Sequence, residues 1–329
     1  RVSSRLTVLP AEEKAPERPW IGPDGRVMGR LELHVTYSCP ERCVFCSEED
    51  RMAAYRAFPV SFAQIATVLR SHRERGVGAV HFTGGEPSIH PRFEDVLILA
   101  KKLGMRTSMG TIGTMLARPE AAERLLPHLD EALFSLHGPD AATHDALAGR
   151  PGSFETVTAA LRLSRTLRPS FRAFVNTVMT RKTVGKLQAT VDLAESLGAE
   201  LIVVSNTTPE GGGLHRFEEL APRLDELAAV LPGIRAKRAI LRFFGVPMCL
   251  LGDNAMQSND LHWDPRVTVE WASKPGAVAL TDYYNWAPDR KRVFPPPCRA
   301  CAHRGLCMGV YDRYAELFST EGLRPEPGG

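Results

Sequence analysis

Short β-branched or apolar runs recur along the first two thirds of the chain. They are LELHVTY at 31–37, AVHFT at 79–83, RTSMGTI at 106–112, EALFSLH at 131–137, FRAFVNTVM at 171–179 and LIVVSN at 201–206. Between them the apolar positions move to a helical period. FAQIATVLRSHRERG (62–76) and TVGKLQATVDLAESLG (183–198) end in Gly, PRFEDVLILAKKLG (91–104) starts with Pro and ends in Gly, and SFETVTAALRLSRTL (153–167) opens on a Ser in the N-cap position. Strand and helix alternating six times predict parallel strands joined by helical crossovers. Six units over 31–206 fall short of the eight that close a full barrel, so the expected α/β fold is a curved, open (βα)6 sheet, a partial TIM-type barrel. Chemistry in such a fold gathers in the loops at the carboxyl ends of the strands.

The remainder reads differently. Residues 1–30 are proline-rich and end in the turn signal GPDG, which predicts an N-terminal arm. The alternation breaks at TTPEGGG (207–213), placing a boundary near 215 and a smaller unit over 216–329, after a barrel over 31–215. In that unit NDLHWDPRVTVEW (259–271) and TDYYNWAP (281–288) mix aromatic and charged residues, as expected of segments that surround a metal centre or close the barrel mouth.

The chain has 329 residues, 43% of them hydrophobic, with a formal net charge of +3. That supports a large core and gives no sign of a polyanionic partner, so nucleic acid is not expected. No run approaches the length of a membrane-spanning helix. The first residue is Arg1 rather than Met, which leaves an upstream segment or signal peptide open.

Cysteine placement carries the chemistry. Cys39, Cys43 and Cys46 follow the first strand, Cys249 stands alone, and Cys298, Cys301 and Cys307 cluster near the end. An odd total of seven suits a disulfide framework poorly. Two metal-binding clusters in a reducing compartment, the cytoplasm, are expected instead. For the first three thiols a zinc site would want a fourth ligand nearby, and a buried thiol group is at odds with the polar Pro40-Glu41-Arg42 between them. A [4Fe–4S] cube with one iron free of protein ligands is the third reading.

CPERCVFC (39–46), a Cys-x3-Cys-x2-Cys with an aromatic residue before the last thiol, followed by TGGEP (83–87) after the second strand, resembles the signature pair of the radical S-adenosylmethionine (SAM) superfamily. The likeness covers roughly residues 31–206. It implies a [4Fe–4S] cluster on Cys39, Cys43 and Cys46 whose open iron is chelated by SAM, and cleavage of SAM to a 5′-deoxyadenosyl radical that abstracts a substrate hydrogen. It further implies that Gly84 and Gly85 let the backbone approach the methionine group, and that Glu86 bonds its ammonium. By the same likeness Ser135 and Asn176 lie at the ribose, and Phe45 with Val203 to Ser205 flank the adenine. An electron donor of flavodoxin or ferredoxin type is implied as partner.

Parity along the strands puts His137 on the face of Ser135, His34 with Thr36, and His81 with Thr83, either lining a substrate cavity or filling the barrel floor. His90, His128, His144 and His215 are expected at the surface. The spacing Cys298-x2-Cys301-x5-Cys307, with Cys249 as fourth thiol, is similar to the auxiliary [4Fe–4S] domains of twitch and SPASM type. Four thiols there imply one auxiliary cluster, an electron relay if Cys249 ligates; zinc suits the spacing too, and His303 is a competing ligand. The expected substrate is a ribosomally made peptide, captured directly or through a separate leader-binding partner. A small metabolite dehydrogenated or rearranged is the alternative, and a non-catalytic iron–sulfur carrier the alternative of another class.

Overall fold

The expected strands form where the β-branched runs lie, and they pair in chain order because each is followed by an amphipathic crossover. A computed structural model describes residues 7–8, 21, 25–320 and 322–327. Most of the arm expected over 1–30 lies outside these. The strands of the main sheet are β1 (Thr7–Val8), β2 (Arg30–Thr36), β3 (Ala79–Gly84), β4 (Arg106–Thr111), β5 (Glu131–Ser135), β6 (Arg172–Met179), β7 (Leu201–Asn206), β8 (Ile240–Phe244), β9 (Arg266–Lys274) and β10 (Ala277–Asn285). Their order is β1-β10-β9-β2-β3-β4-β5-β6-β7-β8, with β2 through β8 parallel.

The six predicted strands are β2 to β7. The sheet continues beyond them at both ends: β8 adds a seventh parallel strand, and the β9–β10 hairpin joins β2 on the other side, β9 parallel to it. The sheet therefore crosses the boundary expected near 215. NDLHWDPRVTVEW and TDYYNWAP, expected around a metal centre or closing the barrel mouth, supply most of that hairpin. Arg266 and Glu270 lie on one face of β9, and Asp282 of β10, opposite Val269, lies on the other.

On β6, Ala173, Val175, Thr177 and Met179 are buried against helices, whereas Phe174, Asn176 and Val178 on the other face are half-buried. This period-two pattern is what a sheet with helices outside and a concave lumen inside requires. The outer face carries the helices Phe62–Glu74, Phe93–Lys102, Ser153–Leu167 and Leu187–Ser196. The first is started by a capping box, Ser61 Oγ accepting from Gln64 N at 3.3 Å and Gln64 Oε1 from Ser61 N at 2.9 Å. Ser153 is not a cap. It is the first helical residue, and the Asp145 carboxylate takes the capping role by accepting from Gly152 N (2.7 Å) and Phe154 N (2.8 Å). Asp145 reaches there from within a short helix not expected from the sequence, Ala141–Ala148. No helix among the described residues is long and apolar enough to cross a membrane.

Candidate functional site at the barrel mouth

The loop carrying Cys39, Cys43 and Cys46 leaves β2 at Thr36, and all three thiols are half-buried. Three other segments hold it. From β3, Gly85 N donates to Thr36 O (2.7 Å) and Glu86 N to Ser38 O (2.9 Å). The approach is so close that a Cβ on Gly85 would lie 2.6 Å from the Ser38 carbonyl carbon and nearer still to its oxygen; Gly84, at φ +108°, faces Thr36 O in the same way. From the helix Ala141–Ala148, the carbonyls of Ala148 and Leu147 accept from Arg42 N and Val44 N, each at 2.9 Å. From the exit of β7, Gly212 N donates to Cys46 O (2.8 Å) and Arg216 Nε to Val44 O (2.8 Å), while a Cβ on Gly211 would stand 2.6 Å from Cys46 O.

The triple glycine 211–213, read from sequence as a break in pattern, is thus a second cradle for the cysteine loop. Its place shortly after a strand, with four residues between Asn206 and Gly211, was the available signal. Gly84 and Gly85 serve first to bring two strand exits together.

Glu86 is fully buried. Its carboxylate accepts from Ile112 N (2.8 Å), Thr111 Oγ1 (2.9 Å), Ser88 N (3.1 Å) and Ser88 Oγ, tying the β3 exit to the β4 exit. Burial pushes its pKa above the usual carboxylate value, and these donors pull it back. Ser135, Asn176 and Val203 are in-register neighbours across β5, β6 and β7, and Ser205 Oγ donates to Asn176 Oδ1 at 2.6 Å. The four form one patch. Phe45 reaches toward it from the cysteine loop, edge-on to His137 with centroids 4.7 Å apart, in a small apolar cluster that includes Val178 of β6.

The histidines divide. His137 Nδ1 accepts from Val178 N (3.1 Å), and His81 bonds Ser108 Oγ (2.8 Å) with its pKa pushed down to about 3 by burial, the floor-filling outcome. Two expected at the surface are buried: His90 Nε2 meets Val60 O at 2.9 Å, and His144 Nδ1 accepts from His137 N at 3.0 Å. His90 is buried against a segment 30 residues earlier, and His144 between its neighbours His137 and Phe154. His215 is exposed and His128 half-buried.

His34 lines a cavity of about 260 Å³ between the barrel and the last third of the chain. It stands between two carboxylates, Nδ1 3.4 Å from Glu48 Oε2 and Nε2 3.6 Å from Glu270 Oε2. Arg51 closes the ring, 3.1 Å from Glu48 Oε1 and 3.0 Å from Glu270 Oε1. Burial raises Glu48 to about 7 and holds His34 below its ordinary value. The ligand atoms of His34, Glu48 and Glu270 lie within 4.8 Å of one another, yet the guanidinium already supplies the cation this cluster needs. Trp263, Asn285 and Pro288 from the segments expected to close the mouth line the same cavity.

Cys249, Cys298, Cys301 and Cys307 line one small cavity, although 49 residues separate the first two in sequence. Burial pushes Cys249 up to about 11 and raises Cys298. His303 borders the cavity, but its Nε2 lies 3.2 Å from Glu326 Oε2. Both cysteine sets offer sulfur donors alone from partly sheltered loops, the donor chemistry that suits iron–sulfur ligation.

The sequence profile described as the radical SAM superfamily matches residues 33–194, which run from β2 to the last crossover helix. The chain carries a radical SAM domain. Such a domain implies a [4Fe–4S] cluster and SAM. Among curated relatives, a PqqA peptide cyclase of Streptomyces rochei is 31% identical over 216 residues, covering 65% of this chain and 57% of the relative. An AdoMet-dependent heme synthase of Nitratidesulfovibrio vulgaris is 30% identical over 172 residues, 51% of this chain and 45% of the relative. The chain thus spans about half the length of the curated relatives it matches. Among solved structures, Streptococcus suis SuiB bound to the precursor peptide SuiA superposes with a TM-score of 0.50 at 18% identity, over 62% of this chain and 44% of that one, a likeness of fold.

Proposed function

We propose that the protein is a radical SAM enzyme that modifies a ribosomally synthesised peptide. The observation that carries this reading is the three-thiol loop clamped by the glycine segments of β3 and β7, beside the polar patch of β5–β7 and a cavity shared with the last third of the chain. Cys39, Cys43 and Cys46 would hold the SAM-binding cluster; Gly84, Gly85 and Glu86 would border the methionine end of SAM, with Ser135 and Asn176 at the ribose and Phe45, Val203 and Ser205 beside the adenine. Cys249, Cys298, Cys301 and Cys307 would hold a second, fully protein-coordinated [4Fe–4S] cluster. When bound, these groups supply one-electron cleavage of SAM, hydrogen-atom abstraction and an electron relay, fed by a flavodoxin- or ferredoxin-type donor.

The chain's own contribution is geometric. The glycine cradles fix the thiol loop, Glu86 locks two strand exits, and the charged walls of the cavity orient the substrate while excluding water. A peptide is supported by the PqqA peptide cyclase relative and by the peptide-bound structure of similar fold.

The test is anaerobic reconstitution followed by SAM and dithionite, with 5′-deoxyadenosine and the mass of a peptide encoded beside the gene as readouts. Deoxyadenosine together with a peptide mass change is the expected result. Intact clusters with no deoxyadenosine would make the protein an iron–sulfur carrier. Deoxyadenosine with consumption of a metabolite instead would move the substrate to small molecules.

A further inference from the structure

We infer that residues 322–327 form a clasp that completes the four-thiol centre of the last third of the chain, with Pro325 and Glu326 as positioning residues. The inference rests on the reading that these four thiols hold a cluster.

The segment is anchored at one end and spread over the thiols at the other. At its start Gly322 packs against the helix Leu224–Val230 so closely that a Cβ would lie 2.5 Å from the Leu224 carbonyl carbon, and Leu323 is buried in the main core. Pro325 then lines the cavity that Cys249 shares with the other three thiols. Glu326 O accepts from Ala302 N at 2.9 Å, its carboxylate meets His303 at 3.2 Å, and Pro327 bridges to Cys301 in antiparallel fashion. Three consecutive residues, Pro325 to Pro327, therefore reach the thiol cavity and the Cys298–Cys307 loop at once.

Two consequences follow from elementary chemistry. A wall of backbone over the sulfurs limits access of water and reagents. The same segment also holds His303 on Glu326, away from ligation.

Gly322→Ala tests the clasp by wedging it off the helix with a single methyl group. In the metal-free protein, alkylation by iodoacetamide followed residue by residue should speed up roughly tenfold at Cys249, Cys298, Cys301 and Cys307 as local opening becomes easier. Cys39, Cys43 and Cys46 should react at the wild-type rate. Unchanged rates at all seven thiols overturn the proposal. If all seven accelerate, Glu326→Ala decides: acceleration confined to Cys298 and Cys301 supports the clasp, and none overturns it. A wild-type chain that loads only about four irons refutes the second cluster itself, a result separate from the alkylation outcome.

Discussion

Gly85→Ala is the sharpest test of how the cysteine loop is held. An added Cβ would sit 2.6 Å from the Ser38 carbonyl carbon, where ordinary contact begins at 3.4 Å, so the two backbones must part by about 1 Å. Neither partner is a flexible side chain that can swing away. Separation by that amount lengthens Gly85 N to Thr36 O from 2.7 Å and Glu86 N to Ser38 O from 2.9 Å past hydrogen-bonding range. Two lost bonds at about 1 kcal/mol each and overpacking of about 2 kcal/mol sum to about 4 kcal/mol. Urea unfolding of the metal-free protein, followed by circular dichroism, measures it. Gly78→Ala is the control, because nothing lies within 4 Å of a Cβ there and its backbone is not in the left-handed region. Because Ser38 adjoins Cys39, the variant should also load only the carboxyl-terminal iron. A Gly85→Ala protein within about 1 kcal/mol of the control, loading both iron sites, would refute the cradle.

Three further outcomes are expected. Arg216→Ala removes the bond to Val44 O and the pairing with Glu49; iron after reconstitution should drop toward about four per chain while C-terminal thiols stay protected from alkylation. Cys249→Ala should likewise lower iron from about eight to about four, with the SAM-cleaving activity of the first site retained in single-turnover deoxyadenosine assays. His81 has its pKa lowered from 6.5 to about 3 by burial, so the unfolded chain binds a proton that the folded one refuses. Its contribution is complete above pH 6.5 and is lost as pH falls toward 3, by at most about 5 kcal/mol. His81→Gln should flatten that limb in urea titrations between pH 4 and 7, and parallel pH profiles for variant and wild type would contradict it.

The six strands and four of the crossover helices were legible because each depends on periodicity within a dozen residues. The cysteine triplet and TGGEP were legible because their spacing and place after a strand are local too. Other parts depended on distant neighbours. The β9–β10 hairpin was hidden by charged residues satisfied only by segments far along the chain, Arg266 by Glu32 and Glu270 by Arg51. His90 looked exposed because Val60, which it bonds, lies 30 residues away.

The sequence alone determined which segments alternate, where the thiols stand along the chain, and which glycines lie beyond strand ends. Only the tertiary structure decided what those glycines face, that Glu86 is saturated by Ser88, Thr111 and Ile112, and that Cys249 meets the other three thiols. Backbone period and ligand spacing are properties of neighbouring residues. Close approach, burial and the meeting of separated loops arise only when the sheet curves and brings its strand exits together.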